Sequence, residues 1–415
     1  LATESETKKK RVVSGMRPTG RLHIGHYFGA LQNWVRLQND PCYDCFYFIA
    51  DWHALTSDYA DTSALSQNVI EIATDYLAVG LDPKKSVIFQ QSQILEHAEL
   101  HLLLSMVTPL GWLERVPTYK ETLENVKDKD LHTYGFLGYP VLQTADIVIY
   151  SEESMPLVVP VGEDQVSHVE LSREIVRRFD IAYSEPDWDR LTREQLQELT
   201  KHFETSVSKG IPENLSLLEK IRTAMRGAPL DYRASVLANA QIKRRDVLQE
   251  PEVMLTQTPR IPGLDGRKMS KSYGNAIMLS ESDEDIRGKT KVMMTDPARK
   301  RRSDPGNPKV CPVYDWHKLF SPKETLEWSA HGCRTAEIGC IECKAAMADN
   351  LIKWIAPIRE RRRQYQKNPK QVLQVIDQGS RKARGIAQQT MVRVREAVFG
   401  WGNKRNEIQG GAANA

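Results

Sequence analysis

The feature that most limits the fold of this chain is an alternation of hydrophobic periods along its N-terminal part. "RVVSGM" and "CFYFIADWHALT" are apolar, β-branched or aromatic runs that suit buried strands. Helical patterns follow each of them, "HIGHYFGALQNWVRLQ" and "LSQNVIEIATDYLAVGL". "KSVIFQQS" supplies a third strand, with a helix from about Ala98, and "GYPVLQTADIVIY", "MPLVVPVGED" and "HVELSREIVRRF" continue the alternation. Strands and helices at this spacing predict an α/β fold, a doubly wound parallel sheet of Rossmann-like type, with ligands at the carboxyl ends of its strands. The expected organisation is a disordered tail at 1–10, the Rossmann-like domain at 11–185, and a helical insertion at 186–252. A return to the first domain at 253–285, a helical domain at 286–402 and a second disordered tail at 403–415 complete it. Within the insertion, Thr192 with Gln195 three residues on reads as a capping box.

With 415 residues, 40% hydrophobic and 27% charged, and mean hydropathy −0.48, the chain has room for a substantial core and the composition of a soluble protein. No apolar run approaches bilayer-spanning length, and "LATESETKKKR" lacks a signal-peptide core, so the cytoplasm is the expected compartment and no membrane partner is expected. The net charge of +3 conceals an uneven distribution. "RKRRSDPGNPK" at 299–309, "RERRR" at 359–363 and "SRKARG" at 380–385 concentrate cations in the C-terminal third, which points to a phosphate-rich partner.

Two stretches are built to hold phosphate. A Gly/Pro loop, "SGMRPTGRL", leads into "HIGH", His23 to His26, at the start of a helix, where free N–H groups and the helix dipole favour an anion. Gly25 lets a nucleotide approach the backbone, and the two imidazoles can donate to phosphate oxygens. "GRKMSKS" places two lysines and two hydroxyls, Lys268 to Ser272, on a Gly-rich loop that can close over a leaving pyrophosphate.

The ordered pair of motifs resembles the signature of class I aminoacyl-tRNA synthetases. The blocks "RPTGRLHIGH", "ADWHALT", "HAELHLLLSM", "LERVPTYKE", "GFLGYPVLQTADI", "VPVGEDQVSHVELSREI" and "DGRKMSKSYGN" are similar to successive blocks of the tryptophanyl-tRNA synthetase family, in the bacterial branch that carries an iron–sulfur cluster. That resemblance implies adenylation of L-tryptophan by ATP with Mg²⁺, transfer to tRNA(Trp), and no covalent enzyme intermediate. It implies that His23, Gly25 and His26 face ATP, together with Arg17, Pro18 and Thr19, and that Lys268, Met269, Ser270, Lys271 and Ser272 stabilise the pyrophosphate side. Arg17 stands where many relatives have Gln. Lys120 matches a phosphate-contacting lysine, Asp164 matches the ribose contact beside Gly162 and Glu163, and Ile261 flanks adenine.

For the amino acid, the resemblance implies that Asp146 accepts a hydrogen bond from the indole N–H, with Tyr139, His53, Gln143, Val159, Val161 and Gln165 lining the pocket. The chemistry is sound, since indole offers one donor and no acceptor. Gln143 is neutral between tryptophanyl and tyrosyl enzymes; "VPVGEDQ", "ADWHALT" and "RPTG" favour tryptophan. A buried acceptor left unpaired by the wrong amino acid gives selectivity of roughly 10⁴–10⁵, so no editing domain is expected in the insertion. A tyrosyl-tRNA synthetase is the alternative, and an iron–sulfur nucleic-acid-binding protein without ligase activity is a second one. The family also implies a homodimer, with the apolar stretch 98–116 at its interface.

Four of the six cysteines, Cys311, Cys333, Cys340 and Cys343, form the array C-x21-C-x6-C-x2-C. Four thiolates can hold Zn²⁺ or an iron–sulfur cluster. The resemblance favours [4Fe-4S], as a structural clip for the basic loop carrying Arg301 and Arg302 in an anticodon-reading helical domain. Cys42 and Cys45 read as ordinary thiols.

Overall fold

The computed structural model describes all residues except 1–8, 126–128, 154, 185, 208–214, 243–245, 257–260, 403–404 and 406–415. The expected C-terminal tail, apart from Arg405, lies outside the described residues, as does most of the N-terminal one; Lys10 already belongs to the first strand, paired with Tyr43.

The alternation read from the sequence produces the expected α/β sheet. Strands β1 (Lys10–Met16), β2 (Tyr43–Ile49), β3 (Ser86–Gln90), β4 (Leu157–Val161) and β5 (Glu252–Leu255) stand in the order β3-β2-β1-β4-β5. β1 pairs with β2, and β2 with β3, in parallel register, Val12 opposite Cys45 and Tyr47 opposite Ile88. Successive side chains of a strand point to opposite faces. Val12 and Val13, like Phe46 and Tyr47, are all buried, so both faces are covered, which explains why these strands read as continuous apolar runs. The order reverses between β1 and β4, where a doubly wound sheet offers its crevice.

The chain splits into two compact units. The first comprises Leu1–Gln93, Val158–Val166 and Val253–Ala383, and the second Ile94–Leu157, Ser167–Glu252 and Arg384–Ala415. In the first, one apolar core joins the sheet to its helices, with Ile24, Trp34, Tyr47, Ile72, Ile277, Trp316 and Leu351 at 1% exposure or less. Trp34 stacks on Tyr47 at 4.5 Å between ring centroids. Helix Leu65–Ala78 packs against the long helix Cys340–Lys367, which helices Asp283–Lys291 and Pro312–Phe320 also touch.

In the second unit, helix Glu96–Ser105 packs on helix Tyr134–Val148. Helices Arg193–Val207, Leu217–Gly227 and Leu230–Asn239 have a small core of their own, built on Trp188, Leu199, Ile221 and Val236. The first of these starts with the expected box: the Thr192 N–H donates to Gln195 Oε1 (3.0 Å) and the Gln195 N–H to Thr192 Oγ1 (3.2 Å). Among the described residues, no helix is long and apolar enough to cross a membrane.

Candidate active site

β1 ends at Met16, and the chain turns through 17–22 into the short helix Ile24–His26. Two long-range features pin this turn. The Ile24 N–H donates to Ile277 O (3.0 Å) and the Leu279 N–H to Leu22 O (2.8 Å), with His23 bridged to Met278. The segment following the second motif is thereby fastened to the first. The Leu22 N–H also donates to Asp75 Oδ2 (2.7 Å), and Asp75 Oδ1 accepts from Arg362 Nε (2.6 Å). Arg362 pairs with Glu71 as well. Burial works against the Arg362 charge, but Asp75 and Glu71 outweigh it and hold its pKa above the ordinary value.

The imidazoles of His23 and His26 lie 3.7 Å apart between centroids. His26 Nδ1 accepts from the His23 backbone N–H (3.2 Å), so the neutral His26 ring carries its proton on Nε2. His23 Nδ1 is buried with no hydrogen-bond partner among the described residues. Burial, then the Lys271 charge, lowers the His23 pKa to about 4; burial, His23 and Lys271 lower that of His26 to about 3. At neutral pH both rings are uncharged. Gly25 is needed for a steric reason: an added Cβ would lie 2.9 Å from the His23 ring and 3.4 Å from Met269 Sδ.

The second motif closes on the same turn. Lys271 Nζ donates to Thr19 O (2.9 Å), and burial lowers its pKa against the pull of Asp75. Ser270 Oγ and Ser272 Oγ stand 2.8 Å apart, while the Lys268 side chain is exposed. Asn275, which the motif reading missed, holds the loop in shape. Its Oδ1 accepts from the Ser270 N–H (2.7 Å), and its Nδ2 donates to Lys268 O (3.1 Å) and Asp265 Oδ1 (2.7 Å). The signal was a buried amide just beyond the lysines; at 3% exposure Asn275 cannot leave its polar atoms unpaired.

Other expected ATP-side residues of the first unit take varied positions. Arg17 is exposed and pairs with Asp58 (3.3 Å). Pro18 and Met269 are buried, and Ile261, at 8% exposure, belongs to the apolar core. Gly162 and Glu163 follow the carboxyl end of β4, where Gly162 O accepts from the Gln165 N–H (3.0 Å). The Asp164 side chain lies outside the described residues. Of the expected pocket residues, Val159 is buried, Val161 and Gln165 are half-buried, and His53 is half-buried on helix Asp51–Asp58.

The second unit carries Lys120, exposed on helix Pro117–Asn125, and the remaining pocket residues, all on helix Tyr134–Val148. Tyr139 and Gln143 are half-buried, with the Tyr139 hydroxyl 3.4 Å from His168 Nε2. Asp146 is fully buried, and its Oδ1 lies 2.5 Å from His97 Nδ1. Neither His97 nor His168 was singled out from the sequence, where each is one polar residue in a helical pattern.

The four cysteines of the array are free thiols in the first unit. Burial, followed by the charges of Cys311, Cys333 and Cys340, pushes Cys343 up to about 12. Gly306 lies against this group, its N–H donating to Cys333 O (2.8 Å), and a Cβ there would sit 2.6 Å from Cys333 Sγ. Among the described residues, no group of three or more His, Cys, Asp or Glu side chains is arranged to hold a metal ion. Cys45 is buried in β2 and Cys42 is exposed.

One reading of charge is corrected. "RERRR" is not a free cationic face: Arg359 and Arg362 are buried and pair with Asp283 and with Glu71 and Asp75, and Arg361 Nε donates to Ala78 O (2.6 Å). A helix that crosses a core must neutralise the cations it buries, and here carboxylates and a carbonyl do so. Arg301 and Arg302 in the loop before the cysteines are exposed, as expected.

The turn after the first strand, faced by a lysine loop from much later in the chain, matches the arrangement expected of a class I synthetase. The family of class I tRNA synthetases (W and Y) matches residues 5–208 and 234–356, and the chain belongs to it. The tryptophan–tRNA ligase of Ralstonia nicotianae is 46% identical over 402 residues, 94% of this chain and 98% of its own length. That of Thermotoga maritima is 45% identical over 389 residues, with the same coverage. Among solved structures, tryptophanyl-tRNA synthetase from Campylobacter jejuni complexed with ADP and tryptophan matches with a TM-score of 0.71 at 28% identity, over 94% of this chain and 99% of that one.

Proposed function

We infer that this chain is a tryptophan–tRNA ligase, which activates L-tryptophan with ATP and passes the tryptophanyl group to tRNA(Trp). Near-full-length similarity to tryptophan–tRNA ligases carries this reading. The turn of the first unit supports the nucleotide half of the chemistry. The tryptophan carboxylate attacks the α-phosphate in line, a P–O bond forms, and the bond to the departing pyrophosphate breaks. Here the protein supplies position and charge rather than a nucleophile. His26 Nε2–H and the buried His23 ring serve phosphate oxygens as neutral hydrogen-bonding groups. Lys271, with Lys268, faces the charge that grows on the leaving pyrophosphate. In the second unit, Asp146 accepts from the indole N–H. ATP–pyrophosphate exchange tests the whole reading: it should require tryptophan and not proceed with tyrosine. Exchange with tyrosine alone would replace the assignment by the tyrosyl one.

The cysteine array is proposed to hold a [4Fe-4S] cluster through Cys311, Cys333, Cys340 and Cys343. Burial first, and then the neighbouring thiols, raise the pKa of Cys333 and Cys343, and a cationic centre would relieve both effects by taking the thiolates as ligands. Such a group would order the loop of Arg301 and Arg302 and supply no chemistry. Protein purified without oxygen should contain about four irons per chain; stoichiometric zinc without iron would make the array a zinc site. A homodimer is also proposed, supported by exposed apolar residues on the 98–116 stretch, Leu102 (53%), Met106 (67%) and Leu110 (62%). Elution of a monomer in gel filtration would refute it.

A further inference from the structure

Asp146 does not stand alone in the second unit. Its Oδ1 lies 2.5 Å from His97 Nδ1, and His97 Nε2 lies 2.8 Å from the Tyr150 hydroxyl. All three residues are at 0% exposure. His97 comes from helix Glu96–Ser105 and Asp146 from the helix packed on it, Tyr134–Val148, with Tyr150 just beyond that helix. The direction of the chain of bonds follows from donor chemistry. With Asp146 as an ionised carboxylate, which only accepts, His97 Nδ1 carries the proton and donates. In the neutral ring Nε2 then accepts from the Tyr150 O–H. Both ring nitrogens are thus engaged, and the ring cannot turn without breaking two buried hydrogen bonds.

We propose that His97, oriented by Tyr150, is a positioning residue for tryptophan specificity, because it fixes the plane in which Asp146 presents its carboxylate to the indole N–H. The proposal rests on the reading of Asp146 as the indole acceptor. A carboxylate turns easily about its last torsion, which has broad minima instead of three narrow wells. A firm donor on Oδ1 removes that freedom and aims the group's remaining acceptor capacity in one direction. Discrimination by a buried polar group depends on such aim, since a poorly directed acceptor rejects a substrate lacking the donor less strongly. The mechanism requires no change in the charge or chemistry of Asp146, only its orientation.

The test compares tryptophan with the analogue in which sulfur replaces the indole N–H, both assayed by pyrophosphate exchange. The wild-type protein should prefer tryptophan in kcat/KM by roughly tenfold or more, as expected for a hydrogen bond to a charged group. His97→Leu should erase most of that preference while leaving the KM for ATP unchanged. His97→Asn, whose amide can reach the Asp146 oxygen in place of Nδ1, should restore much of it. Tyr150→Phe removes a single hydroxyl and should lower the preference several-fold, so it decides the matter if His97→Leu does not fold. If folded variants lose activity toward both substrates equally, the ratio staying at the wild-type value, His97 is a packing residue and the proposal is overturned. If the wild-type protein itself shows no preference, the reading of Asp146 as indole acceptor fails first, and the positioning role fails with it.

Discussion

Both units bury histidines, but the turn after β1 and the Tyr150–His97–Asp146 chain use them in opposite ways. His23 is 6% exposed, and its Nδ1 has no hydrogen-bond partner among the described residues. His97 is wholly buried with a partner on each ring nitrogen. An unpartnered buried nitrogen is costly unless something else supplies the bond. On the reading proposed above, the first arrangement reserves hydrogen-bonding capacity for a ligand that is polar and charged. On the same reading, the second uses its capacity to aim another group at a ligand that is mostly apolar and offers one N–H. Both arrangements rely on neighbours beyond the residues of the motifs: Asp75 and Asn275 in one, His97 and Tyr150 in the other.

The contrast can be broken most severely at Arg362. Arg362→Met leaves the buried Asp75 without its cation, while Glu71 keeps Arg21, and should cost about 3–5 kcal/mol of stability, read from the urea midpoint. Because Asp75 also holds the Leu22 N–H, the variant should lose ATP affinity while its affinity for tryptophan stays the same. A folded variant with ordinary stability would show that the turn does not depend on this network.

Lys271→Ala sharpens the same contrast with a somewhat smaller effect. Removing one group that stabilises developing charge should lower kcat for activation by roughly 10²–10³, with little change in tryptophan affinity. A normal kcat with a raised KM for tryptophan would mean that the loop acts as a lid.

The smallest effect is on pH dependence. The folded pKa values of His23 and His26, about 4 and about 3, lie below the ordinary 6.5. Between about 6.5 and 4 the unfolded chain binds protons that the folded chain refuses, so stability rises with pH there and is lost on acidification. The urea midpoint should fall from pH 7 to pH 5, and less steeply in His23→Asn/His26→Asn. Equal slopes in the two proteins would show that these rings do not resist protonation.

The sequence alone determined the α/β class, the two phosphate motifs and the gathering of the cysteines. These are local properties: a buried strand needs a continuous apolar run, and a phosphate turn needs glycine and donors at the start of a helix. The fate of individual polar residues was not local. "RERRR" read as a cationic face, yet Arg362 meets Asp75, 287 positions away, inside a core. Nothing around His97 marked it as the partner of Asp146, 49 positions further on. Asn275 became necessary only once the chain had folded the lysine loop back on itself. Whether a charged or polar side chain faces solvent, a ligand or another side chain depends on which elements pack together. Burial sets a cost that only a partner can offset, and the tertiary structure alone decides which partner is there.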